Sequence, residues 1–132
     1  MALEVSHMNG HFAAGTVAVG STYAWIGQAP ADAEGGGITI VGGYVVGNTT
    51  NAAGSAPQFR ILKYTAAGAV SGTIVSSQVP GTAALTANTP AAFTVANGWV
   101  DGGELIVVER GGTAVSATSA KQDIFLLYKM GR

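Results

Sequence analysis

The chain contains no cysteine, which excludes disulfides, thiolate metal sites and cysteine nucleophiles at once. It is also poor in charge. Asp, Glu, Lys and Arg make up 10% of its residues, against about 25% in an ordinary soluble protein. Six basic residues against seven acidic ones give a formal net charge of -1. The chain therefore lacks the basic footprint that nucleic acid or an anionic membrane selects. No apolar run reaches the roughly 18 residues of a membrane helix, because Gly, Ser, Thr, Asn or a charge interrupts every one. A basic start followed by a long apolar stretch, the mark of a secretory signal, is missing too. The only histidines are His7 and His11, so no motif supplies a base to a serine nucleophile. The seven acids fall in no recognisable pair for glycoside hydrolysis. GGGITIVGG lacks the Lys and the following helix of a phosphate loop. These absences argue against an enzyme and against any cofactor or bound metal.

What is abundant is small and apolar. Hydrophobic residues reach 48%, and 20 of the 132 positions are Gly. Disordered chains show low hydrophobicity and high charge, the reverse of this pattern. A length of 132 residues suits one domain with one sizeable core. Its surface must be built largely of Ala, Gly, Ser and Thr. A free monomer usually carries more charge for solubility, so the shortage reads as a surface covered by other subunits. A compact β protein with a small-residue surface is the alternative.

The chain is organised around Pro90–Gly112, PAAFTVANGWVDGGELIVVERGG, where two strand-like runs, Phe93–Val95 and Glu104–Arg110, flank a turn rich in Asn, Gly and Asp. The same grammar recurs throughout. Thr16–Gly27, Ile38–Gly47, Gln58–Tyr64, Ala69–Gln78, Thr113–Ser119 and Lys121–Met130 read as strands, separated by Gly-, Pro- and Asn-rich loops. Gly42-Gly43 inside its strand signals a bulge or bend. The unbroken run Ile124–Tyr128 suits a strand buried on both faces. The Val79–Pro90 loop has room for a single helical turn around Ala83–Ala87, and a helix is the alternative reading of Lys121–Met130. RILKYTAAGAVSGT and LIVVERGGTAVSAT echo one another, which reads either as two similar hairpins, at Gln58–Gln78 and Glu104–Ser119, or as chance among Ala, Ser and Thr. The expected fold is all-β: a single-domain β-sandwich, jelly-roll-like, of about seven to nine short strands. Residues 16–132 form the sandwich. Met1–Gly15 forms a flexible N-terminal arm with a short strand near its end. The expected core is Val19, Trp25, Ile38, Ile40, Val46, Phe59, Ile61, Leu62, Phe93, Val95, Leu105, Val107, Ile124, Leu126 and Leu127.

Few residues can carry chemistry. His7 and His11 stand four apart, a helical metal-pair spacing, but Asn9 and Gly10 intervene and no third ligand is near. Asp32 with Glu34, and Asp101 with Glu104, sit in Gly-rich loops. Such carboxylates can ligate calcium, yet both loops are short of further ligands, which favours ordinary turn chemistry. Asn48-Thr49-Thr50 fits a glycosylation sequon. Trp25, Trp99 and Tyr44 could form an aromatic platform for sugar, and Trp99 alternatively serves as partly buried core or as a subunit contact.

With the strands placed, ITIVGGYVVGNTTNAAGSAPQFRILKYTAAGAVSGTI and AAFTVANGWVDGGELIVVERGGTAVSAT resemble the small β-rich virion proteins of tailed bacteriophages, in particular capsid decoration (cement) proteins. The resemblance covers roughly Gly36–Met130. It lies in the β grammar, the Ala/Gly/Ser/Thr-rich connections and the low charge, and it carries over no site residue. It implies a structural protein, often a homotrimer, on the outer surface of a phage head, made in the host cytoplasm. Its partner would be the major capsid protein, whose neighbouring subunits it bridges against the pressure of the packaged genome. His7, His11, Phe12 and Trp99 are the candidate capsid or subunit contacts. A carbohydrate-binding β-sandwich of the phage tail or head-fibre type is the alternative.

Overall fold

The computed structural model describes residues 6–12, 15–18, 21–32, 34–48, 58–78, 86–111, 116–119 and 122–132. Eleven strands lie within them: β1 (Ser6–Phe12), β2 (Gly15–Ala18), β3 (Ser21–Gln28), β4 (Gly37–Gly47), β5 (Gln58–Tyr64), β6 (Val70–Gln78), β7 (Ala91–Ala92), β8 (Trp99–Asp101), β9 (Leu105–Gly111), β10 (Ser116–Ser119) and β11 (Gln122–Met130). A 3-10 turn at Glu34–Gly36 is the only other regular element among these residues. The first sheet runs β1-β11-β4, with β7 and β8 both paired to the far side of β4, and the second runs β3-β9-β5-β6. Strands β2 and β10 form a separate two-stranded piece.

The pairings follow from one arrangement: the chain folds back on itself as a single long antiparallel ribbon. Its tip is the turn Thr65–Ala69, where Thr65 N–H donates to Ala69 O at 2.7 Å and Gly68 N–H to Thr65 O at 2.9 Å. Gly68 takes φ 88 there, a backbone state that favours glycine. Outward from the tip, β5 pairs β6, β4 pairs β7 and β8, β3 pairs β9, β2 pairs β10 and β1 pairs β11, all antiparallel. Winding this ribbon into two layers adds the β5–β9 and β4–β11 contacts. The result is an all-β sandwich of two antiparallel sheets, the fold class expected from the sequence.

Two expectations fail within this scheme. Phe93–Val95 is not a strand; the short strands of that region are Ala91–Ala92 and Trp99–Asp101, on either side of it. Phe93 instead donates its N–H to Gly43 O at 2.9 Å and turns its ring into the core. The second expected hairpin also does not form, because β10 pairs β2 rather than returning along β9. The ribbon needs a partner for β2 at that level, and β10 is the segment that arrives there. The N-terminal stretch supplies β1 over Ser6–Phe12, in register with β11 along its whole length. The helical turn expected at Ala83–Ala87, the sequon threonines and Val19 lie largely or wholly outside the described residues.

The core lies between the sheets. Ile38, Ile40, Phe59, Ile61, Phe93, Ile124 and Leu126 are in it as expected, joined by Val45, Ile74, Val75, Val100, Ile106 and Val108. Phe59 meets Phe93 edge-on at 6.0 Å between centroids. Val46 was expected inward, but Val45 takes that place, at 1% exposure. The cause is a bulge. Tyr128 pairs Ile40 while Leu127 pairs Gly42, so Val41 has no partner on β11. One extra residue inverts the alternation beyond it: Ile38 and Ile40 face inward before the bulge, Gly43 and Val45 after it. We expect Val45→Ala to cost about 2 kcal/mol and Val46→Ala well under half of that, measured by urea denaturation. Equal costs would place the bulge wrongly.

Arg110 and Gln122 are the buried polar side chains among the described residues, and Arg110 Nη1 donates to Gln122 Oε1 at 3.0 Å. Burial holds the Arg110 guanidinium below its ordinary pKa.

Candidate interaction surface

The outward face of the first sheet gathers the side chains with most capacity for recognition. The register sets its rows. His11 lies opposite Asp123, which lies opposite Val46. Next come Asn9, Phe125 and Tyr44, and then His7, Leu127 and Gly42. Beyond the bulge come Lys129, Thr39 and Trp99. Strand alternation keeps these residues on the side opposite Ile124, Leu126, Ile38 and Val100, which are in the core.

The middle of this face is aromatic. Tyr44 and Phe125 stack at 5.0 Å between centroids with 21° between planes. His7 lies 6.5 Å from Phe125, tilted by 49°. Phe125, Tyr44, Val46 and Leu127 are each half-buried, while His7 and His11 are exposed. Half-burial on an outer sheet face leaves apolar area for a partner, and the small charge count keeps desolvation cheap. The unbroken run Ile124–Tyr128 reflects this: Ile124 and Leu126 are fully buried, and Phe125 and Leu127 make the outer patch.

At the other end, Trp99 is held on several sides. Its Nε1 donates to Asp101 Oδ1 at 2.7 Å, and the Arg132 guanidinium lies over its ring, 4.2 Å from the centroid. A Cβ on Gly37 would come within 2.9 Å of the ring's Cζ2. Lys63 reaches from the second sheet, donating from Nζ to Trp99 O at 2.9 Å. These contacts fill one ring face with a cation, so Trp99 is not an open platform for stacking a sugar. Tyr44 stacks on Phe125, and the Trp25 side chain lies outside what the structure describes.

The Asp101–Glu104 loop behaves as a turn. Glu104 N–H donates to Asp101 O at 3.1 Å, and the Glu104 carboxylate accepts the Asp101 N–H at 3.0 Å. The same carboxylate lies 3.9 Å from Lys63 Nζ. Gly102 and Gly103 N–H groups donate to Gly36 O and Ala29 O, tying this loop to the Gln28–Gly37 connection. Among the described residues, no group of three or more His, Asp or Glu is placed to hold a metal ion.

Of the sequence-predicted contacts, His7 and His11 share this face, and Trp99 stands on it beyond the bulge. Phe12 ends β1 with its backbone opposite Gln122. Sequence reasoning missed the Tyr44–Phe125 stack. The signal was present in the β4 bulge, which decides that Tyr44 faces out.

No family model matches this chain, and no curated protein does. Five chains among solved structures do match. One belongs to the cyanophage Pam1 capsid asymmetric unit: TM-score 0.52, 16% sequence identity, covering 98% of this chain and 86% of that one. Another is from infectious bursal disease virus Gx strain, with TM-score 0.37, 10% identity and coverage of 98% of this chain and 36% of that one. The first likeness shows a shared fold; the second is too distant to carry an argument.

Proposed function

We propose that this chain is a structural component of a virus particle: a decoration, or cement, protein on the outer surface of a phage head. In this reading it works as a homotrimer and bridges neighbouring subunits of the major capsid protein. It is made in the host cytoplasm and carries out no catalysis. The observation that carries the reading is the shared fold with a chain of a phage capsid asymmetric unit, over nearly the whole length of both chains. Fold alone hosts many functions. The charge-poor composition and the aromatic outer face of the first sheet support the same conclusion. That face, with Phe125 and Tyr44 at its centre and His7, His11 and Trp99 around it, is the proposed contact with the shell, and Phe12 stands beside it at the end of β1. Many symmetry-related copies make even a modest contact strong in sum.

The test is co-sedimentation with empty shells assembled from the major capsid protein of the same phage. Wild-type protein should pellet with shells. Phe125→Lys puts an unpaired charge into the apolar centre of the contact and should weaken attachment at least about tenfold, with the circular dichroism spectrum unchanged. Unaltered pelleting of the variant would remove this face from the contact.

A further inference from the structure

We infer that β1 is a self-pairing edge: two copies of this chain join their first sheets antiparallel through β1, about a two-fold axis at Asn9. This inference does not depend on the capsid reading.

The first ground is the state of the sheet edges. An edge strand offers unpaired N–H and C=O groups to any other strand, and proteins blunt such edges with charges, Pro, bulges or short length. The other edges of the two main sheets are blunted, and β2 and β10, which pair only with each other, have four residues each. β6 is out of register with β5 at three places. β3 breaks register with β9 between Trp25 and Gly27. β7 has two residues, and β8 has three, including Asp101. β1 has no charge, Pro, bulge or shortness to blunt it, although β3 packs close to it on the core side, with Met8 Sδ 3.6 Å from where a Cβ on Gly27 would lie. Its seven residues, SHMNGHF, include no Asp, Glu, Lys, Arg or Pro, and its ladder with β11 runs without a register shift. Among the described residues, no strand pairs with its outer side.

The second ground is the order of its residues. An isologous contact sets residue i of one copy against j of the other, and j against i. Centred on Asn9, the pairing sets Asn9 against Asn9 and His7 against His11. Met8 of one copy falls opposite Gly10 of the other, a long side chain beside a position that has none. Asn9 is the middle residue of Ser6–Phe12, so centring the axis there overlaps all seven residues of both strands. Pairing would also join the two outer faces into one continuous surface.

Because the chain has no cysteine, single-cysteine variants report one position each. Directly opposed antiparallel residues have Cα atoms about 4.5–5.5 Å apart, within disulfide range. Mild oxidation of Asn9→Cys should convert monomer to covalent dimer, whereas Thr73→Cys, exposed on β6, should remain monomer. His7→Cys and His11→Cys should each cross-link poorly alone and well when mixed. Asn9→Lys sets like charges opposite one another, and should abolish association in sedimentation velocity with the fold intact. Cross-linking of Asn9→Cys no better than of Thr73→Cys, or association unchanged in Asn9→Lys, would overturn the inference.

Discussion

Phe59→Ala should destabilise the protein by about 3–5 kcal/mol, the range for removing a large buried aromatic side chain. Phe59 lies near the start of β5, at the end away from the ribbon's tip, and is fully buried. Its ring edge meets Phe93, an aromatic contact worth about 0.5–1.5 kcal/mol beyond simple burial. Phe93 lies in the irregular segment between β7 and β8, and so depends on side-chain packing more than on a ladder. The cavity would therefore loosen the link between the two sheets at this point. Against a typical stability of about 5–15 kcal/mol, such a loss leaves little margin. We expect a large drop in the urea midpoint, and Phe59→Leu should recover more than half of it. A cost below about 1 kcal/mol would mean that Phe59 is not at the centre of the core.

Gly98→Ala should be the most damaging single methyl in the described chain. A Cβ at Gly98 would lie 2.0 Å from Ile40 O and 3.0 Å from Ile40 C. Those are backbone atoms of β4, which cannot swing aside as a side-chain tip would. Gly98 O also accepts the Ile40 N–H at 2.8 Å, so relief of the clash breaks that bond. The displaced segment includes the Val41 bulge and the start of β8, and with them the register of the outer face. The cost should be about 3 kcal/mol, the upper part of the overpacking range, or about 10 °C in Tm. Gly42→Ala is the control, since a Cβ there meets nothing within 4 Å. Equal melting temperatures for the two variants would contradict the close approach of Gly98 to β4.

The strands with strong local signals were legible in the sequence. β5 was read to the residue, because QFRILKY alternates and has turn residues on both sides. β4 was read as a strand with an irregularity at its glycines, but the side of the irregularity could not be read. A bulge is one residue of length difference between partners, and the partner of β4 is β11, near the other end of the chain. Hence Val46 was assigned inward where Val45 belongs, and Tyr44 was not seen as part of the outer stack. The pairing of β10 with β2 has the same origin. Local composition favoured a hairpin with β9, and long-range winding of the ribbon overrode it. For the candidate surface, His7 and His11 were found from residue type alone. Their neighbours Phe125 and Tyr44 required the register. Trp99 was found as well, but its ring is engaged by Arg132, the last residue of the chain, a contact that no local pattern announces.

The central proposal is that this sandwich attaches to the outside of a capsid. The most direct measurement is cryo-electron microscopy of empty shells of the same phage, imaged with and without added protein. The account predicts added density on the outer surface, at positions that bridge neighbouring capsid subunits, into which the two-sheet sandwich fits with its aromatic sheet face against the shell. Shells that gain no density at saturating protein, or gain it only inside, would contradict it.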